Sequence, residues 1–206
     1  MTQYGGTTIS SLASMLQRRY LITGILREVL TAHFSQPNNI EAPELRQLLW
    51  NEGNDTGIVV ESYSRWRPEL TEKRPAIVIK PNRIANDRRA IGDRRQGQPI
   101  DRQGNSGFET FWVGSHTLFC LSRNGVQAEY LASEVQRELT EFSLELCKSI
   151  RLLRFSVTEI GEPGKLEEAT ENWVTPVTVG YGYAETWKVR QQAPRLKHVS
   201  LSHLIE

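Results

Sequence analysis

The sequence predicts an α+β fold: a mostly antiparallel sheet packed by a long amphipathic helix, with N-terminal helices, an extended loop and a C-terminal arm. Three observations carry this prediction. The stretch NGVQAEYLASEVQRELTEFSLELCK repeats its apolar residues at helical spacing. Several segments rich in β-branched residues alternate with period two and are bounded by Gly or Pro. The order is helices, two strands, a charged loop, a strand, a helix and two more strands, as in a sheet covered by helices.

Taken in order, Ile9, Leu12, Leu16, Tyr20, Ile22, Ile25, Leu26, Val29 and Leu30 predict one long helix over 8–34, with a bend near Gly24. EAPELRQLLWNEG predicts a second, short helix, with Pro43 in its first turn and Gly53 after its end. GIVVESY (57–63) and PAIVIK (75–80) read as strands. FETFWVGSHTLFCLS (108–122) reads as a long strand whose register requires a bulge near Gly114. In the helix that follows, Ala128, Leu131, Ala132, Val135, Leu139, Phe142 and Leu146 form the packing stripe, and Glu134, Arg137, Glu138 and Glu141 form the opposite side. Two strands close the sheet. The first buries Leu153, Phe155 and Val157, and the second alternates through Val177, Val179, Tyr181 and Tyr183. The expected organisation is a helical segment over 1–55, a core over 56–190 with a charged insertion at 81–108, and a tail over 191–206.

With 206 residues, 38% hydrophobic and 24% charged, the chain has the composition of one globular domain. No apolar run approaches the roughly 18 residues of a membrane span, and the N-terminus lacks the basic and apolar regions of a secretory signal. The net charge of +1 argues against a dedicated nucleic-acid binder. Cys120 and Cys147 lie in apolar-periodic segments and read as buried thiols.

One segment stands apart. RIANDRRAIGDRRQGQPIDRQG contains Arg83, Arg88, Arg89, Arg94, Arg95 and Arg102 with three aspartates and no aromatic residue. It has too little apolar surface to offset the entropy of fixing its own backbone, so an ordered form needs a partner. The tail poses a similar question, because Leu196, Val199, Leu201 and Leu204 have no local core to join.

Catalytic patterns are sparse. HExxH, CxxC, GxSxG and GxxxxGK[ST] do not occur. Glu61, Asp87, Asp93 and Glu109 with flanking arginines are what a metal-dependent nuclease would use, but a hard cation needs carboxylates fixed in place. The acidic residues of the loop read better as local neutralisers of its arginines. His198 and His203 are spaced poorly for a metal site. GYGYAE has strand context and reads as a close backbone approach rather than a nucleotide loop. Neither catalytic residues, nor a metal site, nor a cofactor is expected.

The segments SRWRPEL, RPAIVIK, ETFWVGSHTLFCLSRNGVQAEYLASEVQREL, RLLRFSVTEIGEPG and TPVTVGYGYAETWKV together resemble the tail-terminator, or tail-completion, proteins of tailed bacteriophages. The resemblance covers roughly residues 57–190 and rests on hydrophobic positions. It implies a structural neck protein of the virion, assembled in the host cytoplasm. Its copies would form a ring, usually sixfold, that caps the tail tube and joins it to the head connector, with DNA passing through the lumen. On this reading the six arginines form a partner-binding arm that meets acidic protein surfaces, with non-specific DNA contact as the alternative. The four aliphatic tail residues would bind a neighbouring subunit or virion protein. A non-catalytic DNA-contacting or adaptor protein of the connector is the competing class.

Overall fold

The computed structural model describes residues 8–9, 15–51, 57–67, 75–87, 105–166 and 169–190, with backbone alone at 8–9, 15–18, 105–108, 169–171 and 187–190. The elements are β1 (Thr8–Ile9), α1 (Met15–Phe34), a 3-10 turn (Leu45–Gln47), β2 (Val59–Ser62), β3 (Ala76–Asn86), β4 (Asn105–Ser122), α2 (Gly125–Glu141), α3 (Ser143–Ile150), β5 (Arg154–Ile160), β6 (Gly164–Leu166) and β7 (Ala169–Arg190). Described residues within 13–87 and 111–184 belong to one compact unit, and those within 1–12, 88–110 and 185–206 to another. In the second unit β1 pairs antiparallel with the end of β7, Thr8 opposite Val189.

In the first unit the strand order is β2-β3-β4-β7, with β5 and β6 also paired to β7. β3 with β4, and β5 and β6 with β7, pair antiparallel, whereas β2 and β3 run parallel with Val59 opposite Ala76. The α+β class therefore holds. The register of β3 on β4 shifts between Pro81, opposite His116, and Ile84, opposite Gly114. The irregularity falls beside Gly114 as the sequence predicts, but the extra residue is on β3.

Helices cover one face of this sheet. Ile22, Leu26, Leu30 and Phe34 recur every fourth residue along α1, and Leu131, Val135 and Leu139 line α2. They bury against Ile77, Ile79, Leu118, Cys120, Phe155, Val177 and Val179. Asn124 caps α2, its Oδ1 accepting from the Val126 N–H at 3.1 Å. On the other face Ala76, Val78 and Leu121 form a smaller cluster with Val59, Trp66, Phe119 and Val174. The two faces follow from the alternation of β3 and β4 side chains.

Several expectations are corrected. The first helix begins at Met15 rather than Thr8 and passes through Gly24. Tyr20, expected on its packed face, is largely exposed. The second helix is only the 3-10 turn, because the chain must return at once to pair Trp50 N–H with the Phe34 carbonyl at 2.9 Å. The long helix breaks at Phe142 into α2 and α3, and Phe142 points into solvent. Glu134 and Glu138, expected on the solvent side, are buried. At the start of β5 the buried leucine is Leu152, while Leu153 is exposed. The insertion expected at 81–108 is shorter at both ends, since β3 runs to Asn86 and β4 starts at Asn105.

The outer edge of β2 is occupied. The Val59 and Tyr63 N–H groups donate to Pro75 and Ile79 carbonyls on the β3 side, so Ile58, Val60 and Ser62 face outward. The Ile58 N–H donates to the Leu48 carbonyl, Arg27 Nε donates to the Val60 carbonyl, and Glu61 Oε1 accepts from the Ser62 N–H. The Ser62 carbonyl accepts from both Arg65 and Trp66 N–H groups at 3.0 Å.

Candidate functional site

Of the predicted arm residues, Arg83 is an exposed residue of β3. Arg88, Arg89, Arg94, Arg95 and Arg102 lie outside the described residues, as do Leu196, Val199, Leu201 and Leu204. Of the carboxylates considered for a nuclease, Asp93 lies outside them too. Glu61 faces Arg27 at 3.7 Å, and Asp87 has a partner. Among the described residues no group of three His, Cys, Asp or Glu is placed to hold a metal ion, and no helix is long and apolar enough to cross a membrane. Burial raises the Cys120 and Cys147 thiols above their ordinary range, which disfavours the nucleophilic thiolate.

Two buried polar groups join the helices to their surroundings. His116, fully buried on β4, contacts Thr23 Oγ1 of α1 through Nε2 at 2.9 Å. The Thr23 hydroxyl donates to the Arg19 carbonyl at 3.0 Å, so its oxygen is the acceptor and the histidine proton sits on Nε2. Burial first, and then the charge of Arg19, lower the His116 pKa to about 4. The imidazole is therefore neutral at physiological pH. Beside it Tyr181, raised by burial and by Tyr183, stays protonated.

The second group is centred on Glu134. Its Oε1 accepts from the Glu41 and Ala42 N–H groups at 2.6 and 2.8 Å, and its Oε2 accepts from Arg137 at 2.7 Å. Arg137 also donates to the Asn39 carbonyl at 2.6 Å. Burial opposes ionisation of Glu134, but these hydrogen bonds together outweigh it and hold the carboxyl below its ordinary range. His33 lies against both Glu134 and Glu138. The Glu134 and Arg137 bonds of this group fix the chain after α1 onto α2.

A solvent-facing site lies on the outer sheet face. Val78 and Phe119, paired across β3 and β4, form its floor with Leu121. Tyr63 and Trp66 wall one flank, from the turn closed on the Ser62 carbonyl, and Lys165 and Leu166 of β6 wall another. The basin encloses about 330 Å³, at the low end of ligand-sized cavities. The Lys80 ammonium lies 5.0 Å from the Tyr63 ring centre and 5.9 Å from that of Phe119, and Lys165 lies 5.6 Å from that of Trp173. These are cation–π distances. Among the described residues neither lysine has a carboxylate partner, and the buried Trp66 Nε1 lacks an acceptor.

An apolar floor with two ammonium groups around it suits an apolar group beside a carboxylate. The sequence carried a signal of this basin: AIVI and TLFCL place apolar side chains on both faces of their strands, more than one helix layer can cover. Compared with family models and with curated proteins, the chain matches none.

Proposed function

We propose that this chain is a structural virion protein of tailed bacteriophages, forming a ring that terminates the tail tube and joins it to the head connector. The observation that carries this reading is the outer sheet face. Trp66, Val78, Phe119, Leu121 and Val174 give it an apolar cluster of its own, on the side away from the helices, buried at Val78 and Leu121 and opening on the basin beside the exposed Tyr63, and an apolar basin rimmed by two lysines suits a partner's side chain. The sequence resemblance over 57–190 supplies the identity of the assembly, and the arginine segment supplies an arm for acidic surfaces of the tail tube or connector.

Light scattering during size-exclusion chromatography and electron microscopy of the purified chain test the reading. Closed rings with a central hole that admits duplex DNA are expected, whereas single chains at every concentration would overturn it. Replacing Arg88, Arg89, Arg94 and Arg95 by serine should weaken joining to the tail's partners. If joining is normal but retardation of duplex DNA at low salt is lost, the arm is a lumen loop contacting phosphates.

A further inference from the structure

A ring of identical subunits needs two different patches that fit each other, one given and one received. The outer face offers the receiving patch, the basin between Lys80 and Lys165. The helix layer offers a candidate for the other. At the junction of α2 and α3, Phe142 is 47% exposed and Leu144 73% exposed. Glu141 and Glu145, on either side of them, are exposed as well. Among the described residues Glu145 has no ion-pair partner, and Glu141 has only the longer-range attraction of Arg137. The stretch EFSLE thus presents two exposed apolar side chains, turned to different sides of the helix junction, beside two carboxylates, and the basin is an apolar floor between two ammonium groups.

We propose that Leu144 of one subunit, the more exposed of the two, seats as a knob in the Tyr63, Trp66 and Phe119 basin of the next, with Glu141 and Glu145 against Lys80 and Lys165. The proposal rests on the ring-forming reading given above. A cavity of about 330 Å³ accepts a leucine side chain with room for the flanking carboxylates. The carboxylates supply the partners that the lysines lack, and the opposite charges set the register of the contact. Knob and basin lie on opposite layers of the same compact unit, so the contact cannot be satisfied reciprocally by two copies. Each subunit gives a knob at one side and receives one at the other.

Two variants and their mixture test this. In K80E/K165E and in F142S/L144S, both confined to exposed or half-buried side chains, circular dichroism should be unchanged. The mass by light scattering should fall to that of a single chain. Mixed, these variants retain one working knob and one working basin between them, so they should form a one-to-one pair and grow no further. The charge-swapped chain K80E/K165E/E141K/E145K should recover the full assembly. A full-size assembly in either single-patch variant, or a mixture of single chains only, overturns the contact and leaves the ring reading standing. A native chain that never assembles overturns the ring reading and this contact together.

Discussion

His33 on α1 and Glu138 on α2 meet at 2.8 Å through Nδ1 and Oε2, with their side chains almost closed to solvent. The contact lies outside hydrogen-bond geometry, and its neighbour Glu134 makes the directed bonds. Removing Glu134 would strand the Glu41 and Ala42 N–H groups and take from Arg137 and His33 the buried carboxylate between them. Glu134→Ala should therefore cost about 3 kcal/mol in urea unfolding. Glu41→Ala, at the exposed rim of the same group, should cost less than about 0.5 kcal/mol.

Acid should destabilise the subunit in two steps. The folded pKa of His116 is about 4, below the ordinary 6.5, so the unfolded chain binds more protons between these values. The stability from a neutral His116 is complete above pH 6.5 and is lost as pH falls to 4, about 3 kcal/mol in all. Glu134 is held below its ordinary 4.5. Its contribution is present above that value and is lost as pH falls through the lower folded one. In chemical denaturation measured against pH, His116→Gln should flatten the upper step and leave the lower one. An unchanged upper slope would assign that step to another group.

A Cβ on Gly114 would lie 2.7 Å from the ring of Tyr181, itself fully buried. Gly114→Ala should destabilise by about 1 to 3 kcal/mol through overpacking. The penalty should shrink in a Tyr181→Leu background, and a double-mutant cycle reads the difference directly. Additive costs would mean that the two residues do not compete for space.

The stripe of α2 can be divided by substitution. Leu139 is fully buried, so Leu139→Ala should cost about 2 to 5 kcal/mol as transfer and cavity terms combine. Phe142 is exposed, and Phe142→Ala should change the unfolding midpoint of the dilute subunit by about 0.5 kcal/mol or less. Equal losses would place both side chains in one core.

Local periodicity made much of this fold legible. Leu131, Val135 and Leu139 announce their shared face because helical spacing alone brings them together, and the alternation of Val177, Val179, Tyr181 and Tyr183 does the same for β7. What escaped depends on partners distant in sequence. Glu134 looks like a solvent-facing carboxylate until the amides of Glu41 and Ala42 are beside it, 93 and 92 positions away. Phe142 continues the apolar spacing of α2, and no Gly or Pro marks the restart at Ser143. The parallel pairing of β2 with β3 depends on the path of the chain between them, which strand composition does not encode. The basin required Lys165 of β6 and Lys80 of β3, from strands far apart in sequence, to line one hollow.

The occupied outer edge of β2 bears on how large numbers of these subunits can coexist. A bare strand edge is a template on which like strands stack without limit, the route to fibrous precipitates. Here the Leu48 carbonyl, the Arg27 guanidinium, the Glu61 carboxylate and the turn at Arg65 and Trp66 already hold the groups at which an incoming strand would begin. At that border, growth by strand addition requires several intramolecular bonds to be surrendered first. Fibrillar growth along β2 therefore carries a cost that a bare edge would not impose.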